Sequence, residues 1–145
     1  MRATRVYALV AGLVLLAAGL AGLLPPLISP PLFRFNNVRV GLLYGDISGL
    51  LPAYVVRSAL HVVLGFWGLI ASWRSHPAAR IYGRWAAGLF GALAIMGLFP
   101  ATATAFGTMP LYGSNVLLHG AIALLGALFG VVLPPPRPSN GDIDY

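Results

Sequence analysis

The chain has 145 residues, of which 59% are hydrophobic and 8% charged, and a formal net charge of +6. Mean hydropathy is +0.85, whereas a soluble domain carries about 25% charged residues, so a water-soluble globule is excluded. The absence of cysteine rules out disulfides, thiolate metal sites and cysteine nucleophiles.

A helix needs about 20 apolar residues to span a bilayer. The first run covers residues 6–24 and follows Arg2 and Arg5. It exceeds the roughly 7–15 residues of a secretory signal core, and its pattern returns later in the chain, so it reads as a retained helix. Residues 25–51 form a long connection. Pro25-Pro26 and Pro30-Pro31 end the helix, then comes Phe33-Arg34-Phe35-Asn36-Asn37. Gly41, Gly45 and Gly49 recur at every fourth position within the apolar stretch Val38 to Leu51. A cap packed over the bundle is expected; the alternative is a surface helix that turns Leu42, Leu43, Ile47 and Leu50 to lipid. The other spans fall at about 53–72, 81–99 and 112–133. The Pro-rich end, residues 134–145, reads as a disordered or extended cytoplasmic tail.

These spans carry a repeat. Tyr7 followed by Gly22-Leu23-Leu24-Pro25 returns as Tyr82 followed by Gly97-Leu98-Phe99-Pro100. Pro52-x-Tyr54-x-x-Arg57-x-x-Leu60-His61 with Gly68 returns as Pro110-x-Tyr112-x-x-Asn115-x-x-Leu118-His119 with Gly126. The expected fold is all-α: one four-transmembrane-helix bundle, residues 1–133, made of two duplicated helical hairpins as parallel repeats. Small residues should hold it tightly packed, namely Ala18 with Gly22, Ala87 with Gly91, Gly88 with Ala92, and Gly126 with Gly130.

All nine basic residues are Arg. Arg2, Arg5, Arg74, Arg80, Arg84 and Arg137 flank one side; the opposite side carries Arg34, Arg39 and, just inside the second span, Arg57, and its loop Ala101 to Leu111 is uncharged. Positive residues concentrate in cytoplasmic loops, so both termini and the middle connection are expected in the cytoplasm. The surplus charge serves topology and lipid contact rather than nucleic acid.

The chain lacks Lys and Glu, and its only acids, Asp46, Asp142 and Asp144, lie outside the spans. Schiff-base chemistry, a carboxylate-bridged metal site and an intramembrane acid for proton-coupled transport are all missing, so no catalytic residues and no metal are expected. His61 and His119 remain as the candidate cofactor-binding residues. Each sits two turns inside its span on a face with small residues: Arg57, His61 and Gly65 on one helix, Asn115, His119, Ala123 and Ala127 on the other. One reading has the neutral imidazoles bonding backbone carbonyls or Tyr across helices. The other has them ligating a haem iron between them, or a chlorin each. Arg57, Asn115 and Asp46 are structural polar residues, with Arg57 expected to pair with Asp46. His76 reads as a solvated loop residue.

The stretch Leu60-His61-Val62-Val63-Leu64-Gly65-Phe66-Trp67-Gly68-Leu69, the entry Ala79-Arg80-Ile81-Tyr82, and Phe106-Gly107-Thr108-Met109-Pro110-Leu111-Tyr112-Gly113 before Leu118-His119 resemble the bacterial four-helix membrane proteins of domain of unknown function 4383. That family usually shows Asn four residues before each His; Asn115 fits and Arg57 departs. The resemblance implies a multi-pass protein of the bacterial inner membrane and carries no mechanism. The expected role is non-enzymatic: an accessory or structural subunit packed against other transmembrane subunits of a respiratory or photosynthetic complex. No cofactor is expected on this reading. The alternatives are haem- or chlorophyll-type pigment binding at His61 and His119, and a small-solute channel.

Overall fold

The computed structural model describes residues 2–31 and 43–134. Expectations placed on Phe33 to Asn37, Arg39, Arg137, Asp142, Asp144 and the tail beyond Pro134 lie outside the described residues. Four helices dominate: α1 (Arg2–Ala21), α2 (Val55–Arg74), α3 (His76–Leu98) and α4 (Ser114–Ala127), the last continuing through a π-helical turn, Leu128–Val132. Each is long and apolar enough to cross a membrane.

The distribution of side chains is that of a protein solvated by lipid. Leu117, Leu124 and Trp73 are more than 70% exposed, while Arg57, Ser58, His61, Asn115 and His119 are fully buried. Water would penalise both halves of that pattern. A hydrocarbon solvent favours it, because apolar side chains gain nothing by leaving lipid and polar ones must find partners inside.

One expected boundary is corrected, and the surface-helix alternative for the long connection is set aside. α3 begins at His76 rather than near Ile81, and Ser75 alone separates it from α2. The Ser75 hydroxyl accepts from Ala78 N at 3.2 Å, and Pro77 occupies the first turn, where a missing N–H costs nothing. The charges of this segment mimicked a loop; the cap decides otherwise, and His76 opens a helix. The part of the long connection described from residue 43 forms strands rather than a surface helix. Strands β1 (Ile28–Ser29), β2 (Gly45–Ile47) and β3 (Leu51–Ala53) make a small antiparallel sheet in that order. Ile28 pairs with Ile47, and Ile47 with Leu51. Ser48 and Gly49 both take positive φ, 49° and 72°, which ends any helical path through the spaced glycines and reverses the chain. The sheet leads directly into α2.

Packing within the bundle is through absent side chains. α1 lies chiefly on α2, and α3 on α4. A Cβ on Gly12 would stand 2.9 Å from Gly65 O, and one on Gly19 would stand 2.7 Å from Ser58 O. At Gly68 it would meet Ala8 O, Gly12 Cα and the Tyr82 ring, each at 2.9 Å. At Gly126 it would meet Gly83 O at 2.7 Å, the Tyr7 hydroxyl at 2.8 Å and Ala87 N at 3.0 Å. That vacancy lets the Tyr7 hydroxyl donate to Ile122 O at 2.9 Å, tying α1 to α4.

Arginines close the helix ends on the side where α1 starts. The last carbonyls of a helix have no partner within it and carry the negative end of its dipole. Arg5 supplies both needs for α2, donating from Nε to Ser72 O at 2.6 Å and from Nη2 to Trp73 O at 3.1 Å. Arg80 does so for α4 through Leu133 O, and Arg84 Nε donates to Gly130 O at 3.1 Å.

Gly68→Ala and Gly126→Ala should each destabilise the protein by about 1–3 kcal/mol through overpacking. Gly88→Ala, whose Cβ meets nothing within 4 Å, should be neutral or stabilise by about 0.5–1 kcal/mol. Thermal unfolding in detergent checks all three; equal losses would remove close packing as the cause.

Candidate functional site

The polar residues singled out from the sequence converge where α2 and α4 face each other. Arg57 and His61 stand four apart on α2, Asn115 and His119 four apart on α4, and each pair meets the other. Arg57 Nη1 donates to Asn115 Oδ1. Asn115 Nδ2 donates to Pro110 O at 3.1 Å and, more weakly, to Pro52 O at 3.4 Å. One amide therefore links α2, the lead-in to α4 and β3. One turn deeper, His61 Nε2 and His119 Nε2 lie 3.4 Å apart, with ring planes crossed at 84°. Neither backbone carbonyls nor Tyr receive these imidazoles; they bond each other.

That contact dictates the protonation of the pair. Two facing Nε2 atoms bond only if one carries the proton and the other accepts, so the rings are held as opposite tautomers. Both Nδ1 atoms are buried without a hydrogen-bond partner. Phe90 of α3 closes the site, its ring 5.3 Å from His119 and 6.1 Å from His61. Below His61, Gly65 packs against α1, where its Cβ would stand 2.6 Å from Leu16 N. The small-residue face of α2 thus receives α1 rather than a ligand.

A haem between these imidazoles does not fit this packing. Metal–imidazole bonds of roughly 2 Å would set the nitrogens roughly 4 Å apart with a flat macrocycle between them. The rings instead touch edge to face under Phe90. Parting α2 from α4 enough to admit a macrocycle would break the Arg57–Asn115 bond one turn away. Among the described residues, no group of three or more His, Cys, Asp or Glu side chains could hold a metal ion.

The expected Arg57–Asp46 pair is also corrected. Arg57 turns inward to Asn115, and its Nε and Nη2 bond nothing. Asp46 is buried in β2, paired across the sheet with Ser29 and Pro52, and its main-chain oxygen accepts from Ser29 Oγ at 2.9 Å. Its charge is felt at Tyr112, which shares a 3.0 Å hydrogen bond with Tyr44. Burial, that bond and Asp46 push the Tyr112 phenol above its ordinary value. The strand register sets this outcome, because β2 holds Asp46 in the cap while the first turn of α2 carries Arg57 below it.

Three further residues belong to the site: Tyr54, noted above only as a member of the repeat, and Ser58 and Phe90, which were not singled out. Tyr54 Oη and Ser58 Oγ are buried and unpartnered beside Arg57 in sequence, and Phe90 supplies the apolar wall. Tyr54 and Ser58 lie within one helical turn of Arg57, a spacing visible in the sequence; Phe90 carried no such signal.

Four membrane-crossing helices closing on a fully buried His, Arg and Asn set define a polytopic membrane protein with a polar core. The chain matches the family model described as "Domain of unknown function (DUF4383)" over residues 5–132, and so belongs to that family. No curated protein and no solved structure matches it.

His61→Leu and His119→Leu should each destabilise by about 1–3 kcal/mol, because each strands the other imidazole in a dry interior. The double variant should lose less than the sum, by about 0.5–1.7 kcal/mol of coupling. A double-mutant cycle on unfolding in detergent reads this directly; additive losses would deny that the pair interacts.

Proposed function

We propose that this protein is a non-enzymatic accessory subunit of the bacterial inner membrane, packed through its outer faces against transmembrane helices of a partner protein. The carrying observation is an open close-packing face on α3. Gly88 and Ala92 stand four apart on one face, both exposed, between exposed Trp85 and Ile95, and a Cβ at Gly88 would meet nothing. Small residues at such spacing let helix backbones approach closely in lipid. At Gly12, Gly19, Gly65, Gly68, Gly83, Gly126 and Gly130 the corresponding space is filled by other helices of this chain. An unfilled face of this kind is suited to a helix from outside.

The internal chemistry supports the same role. Arg57 with Asn115, His61 with His119, and Tyr7 with the Ile122 carbonyl bond across helices, which suits a scaffold. The chain has no Cys, Lys or Glu from which to assemble a catalytic set. We also propose that the chain arose by duplication of a helical hairpin. Supporting this, the equivalent glycines Gly68 and Gly126 make equivalent contacts, to Ala8 and Tyr82 in one case and to Gly83 and Tyr7 in the other. Arg5 and Arg80 cap the ends of α2 and α4 alike. The arginine-bearing ends are assigned to the cytoplasm by the positive-inside rule.

Native mass spectrometry of protein purified from its own membranes tests the role. A defined transmembrane partner is expected to travel with the wild type and to be lost from Gly88→Leu at unchanged melting temperature. Retention of that partner by Gly88→Leu would remove the α3 face as the contact. A bound tetrapyrrole, lost with His119→Leu, would overturn the accessory role in favour of ligation.

A further inference from the structure

Helices α2 and α3 are joined through a single residue, Ser75, yet each pairs chiefly with another helix, α2 with α1 and α3 with α4. Near their junction, at the end where α1 starts, they leave a cleft of about 420 Å³ between them. Trp67, Ile70, Ala71 and Arg74 line it from α2, spaced i, i+3, i+4 and i+7 and so on one face. Ala78 and Ile81 line it from α3. The two alanines make the hollow, and the larger side chains make its walls. The Trp67 ring is braced edge to face against Tyr82 at 5.3 Å. Ile70 and Ile81 are 56% and 50% exposed, so the cleft opens onto the lipid.

The cleft is apolar along most of its length and cationic at one end. The helical rise sets Trp67 and Arg74 about 10 Å apart along the α2 axis. The last carbonyls of α2 are already taken by Arg5, and Arg80 and Arg84 are bonded to carbonyls beyond α4. Arg74 is exposed and bonds nothing among the described residues. No described acid balances it, because Asp46, the one acid among the described residues, lies in β2 at the opposite end of α2. Beside it Trp73 is 72% exposed, and tryptophan so placed belongs at headgroup level. A free cation at the membrane surface above a hydrocarbon-lined hollow repeats the order of charge and apolarity of an anionic lipid.

We propose that this cleft binds one anionic phospholipid, with an acyl chain laid along Trp67, Ala71 and Ala78 and the phosphate at Arg74. An empty apolar hollow forfeits dispersion contacts, and a flexible acyl chain restores them. The guanidinium fork suits phosphate oxygens. The acyl chain is common to all phospholipids, so the charge of the headgroup sets the selectivity.

The test uses the full chain carrying Trp73→Phe and Trp85→Phe, both at exposed positions, so that Trp67 alone reports. The protein is reconstituted in mixed vesicles of phosphatidylcholine and phosphatidylglycerol, with brominated acyl chains on one lipid or the other to quench Trp67. Phosphatidylglycerol should bind about fivefold more tightly than phosphatidylcholine, the factor expected for one Arg at an anionic headgroup. Arg74→Gln should abolish that preference, and Ala78→Leu, which fills the hollow, should weaken quenching by both lipids. Soluble glycerol 3-phosphate should leave the preference intact. Equal affinity for the two lipids, a preference that survives Arg74→Gln, or quenching unchanged in Ala78→Leu would each overturn the site. Loss of the preference to glycerol 3-phosphate would identify a free-phosphate site and overturn the lipid. Should the variants fail to fold, native mass spectrometry of the wild type with both lipids in detergent decides. One phosphatidylglycerol retained in preference is expected, and equal retention of the two overturns the proposal.

Discussion

The structure depends on one constraint: in a hydrocarbon solvent, polar groups between helices have nowhere to go except to each other. His61 and His119, Arg57 and Asn115 form two successive rungs between α2 and α4, helices with few close backbone approaches of their own. Hydrophobic burial contributes little to helix association in lipid, so these rungs hold a contact that packing alone would not. The opposite tautomers forced on the imidazoles make the lower rung directional. Asn115 then extends the upper rung into the chain before α4 and into the small sheet.

The glycines perform the complementary task. Where the rungs join α2 to α4, glycine faces let α1 lie against α2 and α3 against α4 at backbone contact. Tyr7 links the two kinds of interaction, because its hydroxyl reaches Ile122 O only through the space left at Gly126. At the other end, arginines placed early in α1 and α3 satisfy the terminal carbonyls of α2 and α4. Charge concentrated at that end of the bundle is thus also used to finish helices. The π-helical turn at Leu128–Val132 lies where Arg84 takes its carbonyl bond.

Close approach leaves the protein with two unlike surfaces. Most of the outer face is large and apolar, suited to acyl chains. The Gly88–Ala92 face of α3 is shallow and small, suited to another helix.

Much was legible in the residues themselves. Composition and run length determined a membrane bundle of four helices, because the thickness of the bilayer leaves so few ways to distribute apolar runs. The matching Tyr, Pro and His positions of the two halves located His61, His119, Arg57 and Asn115 as one set, since helical spacing places residues four apart on one face. What spacing could not supply was partnership across helices. Whether Arg57 met Asp46 or Asn115, whether the imidazoles met carbonyls or each other, and whether Phe90 lay over them depended on the register of β2 and the rotation of α4 about its axis. The first is set by the pairing of β2 with β1 and β3 and the second by the close fit of Gly126 and Gly130 against Gly83 of α3, properties of surfaces brought together by folding and of no local run of sequence.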